Sequence, residues 1–198
     1  MKEPLQIGVT GGIGSGKSVV CRVFTALGIP VYEADARAKW LTEHDPSLRT
    51  DIIRVLGPLA YDAQDSYDRA WVASQVFTNP ARLAQLNAVI HPRVLADTLD
   101  WVRQHADAPY VVKEAALMRA AGDGNTLDKV IVVHAPVALR MARIQQRDPH
   151  RSEADIRAIM DRQVSDDERL QMADYVLVND ESQLLLPQIL ALHEELIG

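Results

Sequence analysis

The 198-residue chain is 47% hydrophobic and 24% charged, with 10 Gly and 10 Pro, which excludes a disordered or low-complexity segment and leaves room for one domain with a subdomain. Its formal net charge of -6 argues against a general nucleic-acid binder, yet a small phosphorylated ligand needs only a few placed cations. The single Cys21 cannot form an internal disulfide, the N-terminus lacks a signal-peptide pattern, and no apolar run approaches the roughly 20 residues that span a bilayer, so a soluble cytoplasmic protein without nucleic-acid or membrane partners is expected.

Leu5 to Thr10 reads as a short buried strand. It runs into Gly11-Gly12-Ile13-Gly14-Ser15-Gly16-Lys17-Ser18, which fits the P-loop pattern G-x-x-x-x-G-K-[ST]. Glycines let main-chain N–H groups turn inward around phosphate oxygens. Lys17 carries a point charge to the β- and γ-phosphates, and the Ser18 hydroxyl can ligate Mg²⁺. Val19, Val20, Val23, Phe24 and Leu27 then recur at helical spacing, with Gly28 placed to end the helix. The helix N-terminus adds partial positive charge to the loop, so residues 12 to 19 form the expected cradle for a nucleoside triphosphate. Cys21 lies within this helix and reads as a small core residue, since no partner for a nucleophile is evident.

Val31-Tyr32 is a second strand, and Glu33-Ala34-Asp35 stands at its junction with a helix starting at Ala36, for which Asp35 is a natural N-cap. Residues 41 to 107 look mostly helical. Asn79-Pro80 is an N-cap followed by Pro at the first helical position, and Pro92 is expected to kink or break the helix that follows. Tyr110 to Val112, Lys129 to His134 and Asp174 to Val178 read as strands three to five. A helix runs from Pro136 to about Arg147. Ser152 with Asp155 is a capping box, and a last helix covers Ser182 to Leu196. Strands alternating with helices imply an α/β fold: a five-stranded parallel sheet with helices on both faces. The long helical stretch between strands two and three is too large for a crossover and should form a subdomain over the carboxyl edge of the sheet. The six His show no metal-ligand spacing, and Trp40, Trp71 and Trp101 read as packing residues.

The guanine-reading N-K-x-D motif is absent. Several ordered strings resemble dephospho-coenzyme A kinases. They are T-G-G-I-G-S-G-K-S from Thr10, E-A-D from Glu33, D-R at Asp68-Arg69, V-F-x-N-P from Val76, L-N-x-V-I-H-P from Leu86, Q-R-D from Gln146 and A-D-Y-V-L-x-N from Ala173. The resemblance covers nearly the whole chain. It departs from the family at Glu33, where many members carry Asp, and at Ala116 to Ala120, where many carry P-L-L-x-E; members with K-E-A-A are the nearer match.

The resemblance implies transfer of the ATP γ-phosphoryl group to the ribose 3′-hydroxyl of dephospho-coenzyme A, the last step of coenzyme A synthesis, with ATP and Mg²⁺. It implies a core of residues 1–35, 109–147 and 173–198, a helical substrate subdomain of about 36–108 and a lid of about 148–172. Asp35 matches the family's catalytic residue, with Lys17 as its partner in catalysis. Arg143 and Arg147, four apart on one helix face, can meet triphosphate oxygens or stack on adenine. Arg140 shares that face, but the family more often has Gln there, so it stays outside the expected site. Arg69 and His91 are placed on the substrate side, with a surface ion pair and a structural role as their respective alternatives. Either Glu33 or Glu114 is available to assist the metal. The competing readings are another small P-loop kinase, acting on a nucleoside, shikimate or gluconate, and a non-catalytic nucleotide-binding switch. A monomer or weak homo-oligomer is expected.

Overall fold

A computed structural model describes residues 3–198. Five strands, β1 (Leu5–Thr10), β2 (Val31–Glu33), β3 (Tyr110–Glu114), β4 (Lys129–His134) and β5 (Tyr175–Val178), form one parallel sheet in the order β2-β3-β1-β4-β5. The apolar runs read from the sequence are these strands, each within two residues of its expected bounds. β1 sits at the centre, and Ile7 and Val9 are fully buried.

Helix α1 (Lys17–Ala26) follows β1 directly and packs Val20, Cys21 and Phe24 on one sheet face. It ends in a Schellman motif: Ile29 N–H donates to Phe24 O and Gly28 N–H to Thr25 O, both at 3.0 Å. That geometry needs a left-handed residue, which Gly28 supplies at φ 83°. The final helix α9 (Leu185–Ile197) lays Ile189, Leu192 and Leu196 on the same face. The other face is covered by residues 115–128 and helix α8 (Asp166–Gln171), through Leu127, Val130, Val132, Met118 and Leu170. Between β4 and α8 lie α6 (Val137–Arg147) and α7 (Glu153–Met160), joined through Met141, Ile144 and Ile156. The expected Ser152–Asp155 capping box is present, and Ser165 with Glu168 forms a second one on α8.

The chain divides into two compact units, Met1–Glu33 with Gln104–Gly198, and Ala34–Arg103. The second is built of helices, with one antiparallel bridge between Tyr61 and Tyr67: α2 (Ala34–His44), α3 (Pro46–Leu56), a 3-10 turn at Pro58–Ala60, α4 (Arg69–Val76) and nearly all of α5 (Pro80–Gln104). Its own core gathers Leu41, Leu48, Ile52, Leu56, Val72 and Leu86. Asp45, Asp68 and Asn79 each accept a backbone N–H at the start of the helix they precede.

Three expectations need correction. Pro92 does not break its helix: α5 runs unbroken through it for 25 residues. A mid-helix proline forfeits one hydrogen bond and costs about 3 kcal/mol. Here the apolar stripe continues across it, with Leu86, Val89 and Ile90 before and Val94 after, all in the same core. The last helix starts at Leu185 rather than Ser182, because Ser182 is held in a turn by Asp180 Oδ1 and Glu181 adopts a φ of 71°. Asp35 is not an N-cap. The helix begins at Ala34, so Asp35 stands inside its first turn. A negative charge there is still favoured by the helix dipole.

A P-loop cavity with two carboxylates at its edge

The loop between β1 and α1 follows the sheet register. Val9 on β1 is level with Glu114 on β3, which is level with Glu33 on β2. Side chains on one row of a parallel sheet share a face, so both carboxylates are delivered to the carboxyl edge beside the loop. The loop closes through Ser15 N–H donating to Gly12 O at 3.0 Å, and Gly16 enters the helix at φ 100°. Among the described residues, the amides of Gly14, Gly16 and Ser18 make no backbone hydrogen bond. They are donors left open at a helix start, as an anion site requires.

Residues 11–19 line a cavity of about 650 Å³ together with Arg22, Glu33, Ala116, Arg143, Arg147 and Gln163. All ten residues expected to hold the nucleotide, Gly12 through Val19 with Arg143 and Arg147, are thus brought to one cavity. That volume is in the range of small-molecule sites. Lys17 forms an ion pair with Glu114, and both side chains are largely buried. Arg143 donates to Asn179 O at 3.0 Å and lies 3.4 Å from Glu181. Arg147 is more exposed and pairs with Asp148 at 2.9 Å, and its hydrogen bond holds the Asp148 carboxyl below the usual carboxylate range. Burial pushes the Cys21 thiol up to about 11, which fits a packing role.

Ser18 and Glu33 are exposed on the cavity and Glu114 stands beside Lys17. Hydroxyl and carboxylate oxygens suit Mg²⁺, which prefers oxygen donors shared with substrate phosphates. Among the described residues, no group of three His, Cys, Asp or Glu could hold a metal by itself.

Asp35, Arg69 and His91 lie in the helical unit 34–103. Asp35 and His91 are exposed. Arg69 pairs with Glu43 at 3.6 Å, while the adjacent Asp68 caps α4. Trp40 is exposed at 45%, stacked on His44 and under Arg37, rather than packed in a core.

The structure also uses residues the sequence reading passed over. Arg140 is 4% exposed beneath the loop, where it and the equally buried Arg169 share the Asp166 carboxylate at 2.5 and 2.7 Å. A Cβ at Gly12 would strike the Arg140 guanidinium and crowd that of Arg169 at 3.3 Å. Burial and the neighbouring Arg140 charge lower the Arg169 pKa, against the pull of Asp166. Gln163 Oε1 accepts the Ile13 N–H at 2.9 Å. Arg22 lies one turn beyond Ser18 on α1, the only local signal that could have placed it in the cavity.

A family model described as dephospho-CoA kinase matches residues 5–184. The chain belongs to the dephospho-CoA kinase family. A dephospho-CoA kinase from Porphyromonas gingivalis is 35% identical over 190 residues, covering 96% of this chain and 93% of that relative. The crystal structure of TT1252 from Thermus thermophilus aligns over the full length of both chains with a TM-score of 0.85 and 33% identity. A dephospho-CoA kinase from Campylobacter jejuni, 23% identical over 96% of each chain with a TM-score of 0.63, shares the fold. The chain is accordingly an ATP-dependent kinase that works with Mg²⁺, on the five-stranded P-loop fold. Among the described residues, no helix is long and apolar enough to cross a membrane.

Proposed function

We propose that this chain transfers the γ-phosphoryl group of ATP to the ribose 3′-hydroxyl of dephospho-coenzyme A, giving coenzyme A and ADP. The observation that carries the reading is the convergence of residues 12–19, Arg143 and Arg147 on one cavity. The open amides of the loop and Lys17 hold the β- and γ-phosphates, and Arg143 and Arg147 add charge or stack on adenine. Ser18 would hold Mg²⁺, with Glu33 or Glu114 assisting. The bound metal supplies neutralisation of charge on the phosphate oxygens. Asp35 orients the attacking hydroxyl and takes its proton late in the step, because a ribose hydroxyl is too weak an acid to ionise first. Arg69 and His91 stand on the acceptor side, within a substrate subdomain of about 36–108. A monomer or weak homo-oligomer working in the cytoplasm fits this role.

The acceptor is tested by product analysis with ATP and Mg²⁺. Dephospho-coenzyme A is expected to be phosphorylated far faster than adenosine, AMP, shikimate or gluconate. Comparable kcat/KM for any of those four would sink the assignment in favour of another small-metabolite kinase, and tight nucleotide binding with no turnover would make the protein a switch.

Within residues 148–172, the part ahead of α8 is proposed to act as a lid, since such segments close to exclude water from the transferred group, whereas α8 itself is packed on the sheet. The Asp148–Arg151 stretch lies between α6 and α7, and its residues are mostly exposed. Limited proteolysis is expected to cut there in the free protein and to slow when ATP and acceptor are both present. Identical cleavage in the two states would count against a lid.

A further inference from the structure

The string that ends at Asn179 contains a residue that the reaction chemistry above does not use. Asn179 follows β5, and its backbone N–H donates to His134 O at 2.8 Å, adding one rung to the β4–β5 ladder. Its side-chain Nδ2 donates to the Ser15 carbonyl at 2.8 Å. Its two carbonyl oxygens face Arg143, the backbone O at 3.0 Å and Oδ1 at 3.4 Å. A carbonyl on one side and a guanidinium on the other fix which end of the amide points where. A Cβ on Gly16 would run into Nδ2, so the side chain occupies the room that this glycine leaves.

In a trans peptide the C=O and N–H point in opposite directions. The described residues contain no cis peptide. Drawing the Ser15 carbonyl toward Asn179 therefore turns the Gly16 N–H the other way. No backbone N–H among the described residues bonds to that carbonyl. With Gly16 at positive φ, little in the loop itself resists rotation of this peptide.

We propose that Asn179 is a positioning residue: it sets the Ser15–Gly16 peptide so that the Gly16 N–H faces the triphosphate, and it seats Arg143 beside the same cavity. Asn179 acts through these groups and does not touch the nucleotide. The inference rests on the placement of the triphosphate on residues 12–19.

The test is ADP titration of the ¹⁵N-labelled protein, alongside Asn179→Asp and Asn179→Ala. Asn179→Asp keeps an acceptor for Arg143 and loses the donor to Ser15. ADP affinity is expected to fall about 10-fold in both variants, the scale of one hydrogen bond that orients a charged ligand's donor. The Gly16 amide resonance is expected to move with ADP in the parent and far less in the variants, while Gly14 still moves. Folded variants that bind ADP within twofold of the parent would overturn the proposal, whatever their melting temperature. Loss in Asn179→Ala alone would overturn the peptide-holding role and leave only the seat for Arg143. If neither variant folds, the parent decides. A Gly16 amide that stays still while Gly14 and Lys17 move overturns the inference alone. If none of the three moves, the placement of the triphosphate fails and the inference falls with it.

Discussion

Lys17→Ala is expected to lower kcat by at least about 10²-fold, because its charge meets phosphate oxygens whose charge shifts in the transition state. The structure adds a complication. Lys17 pairs with Glu114, so the substitution also strands a largely buried carboxylate. Removing one partner of a buried ion pair destabilises by about 3–5 kcal/mol, because the remaining charge is left uncompensated. The double variant Lys17→Ala with Glu114→Gln removes the stranded charge and separates the two effects. The double variant is read against Glu114→Gln alone, which carries any loss of a metal-assisting carboxylate. If the double variant melts near the parent and turns over far more slowly than Glu114→Gln, the loss belongs to the lysine charge. Near-normal kcat at saturating ATP in Lys17→Ala would refute the role.

Asp35→Asn is expected to lower kcat by roughly 10²-fold or more while the protein stays folded and binds ATP. The side chain keeps its size and loses its charge. Asp35 stands inside the first turn of α2 and caps nothing, so the folding penalty is only the lost attraction between a carboxylate and the helix N-terminus. Glu33→Gln is expected to affect turnover less, since Asp35 is the proposed base and Glu33, which ends β2 and lines the cavity, is proposed at most to assist the metal. Steady-state kinetics on both variants decide between them. Wild-type kcat in Asp35→Asn with loss in Glu33→Gln would reassign the base to Glu33.

The nucleotide half of the site was legible because its information is local. A P-loop is eight consecutive residues, and its strand and helix are adjacent in the chain. The strands were legible as apolar runs bounded by turn residues. What escaped depends on contacts between distant positions. Ile13 meets Gln163 across 150 residues and Ser15 meets Asn179 across 164, and neither pairing leaves a periodic trace. Arg140 stays outside the expected site because the family more often has Gln there, and only tertiary packing reveals its buried carboxylate partner, Asp166. Pro92 misled for the same reason: its local penalty is real, and the core on either side of it outweighs it.

The glycines of the loop are required for different reasons, and this constrains how the sequence can change. Gly16 adopts a backbone angle that other residues resist. Gly12 does not have positive φ; what opposes a side chain there is the buried Arg140 guanidinium, with Arg169 close behind it. Positions 12, 140, 166 and 169 are therefore epistatic. A shorter residue at 140 relaxes the steric demand at 12, yet it also leaves Asp166 with one guanidinium instead of two. A neutral residue at 166 strands both arginines. Single substitutions at any of the four should look deleterious in isolation, and viable lineages are expected to cross between alternatives only by paired exchange.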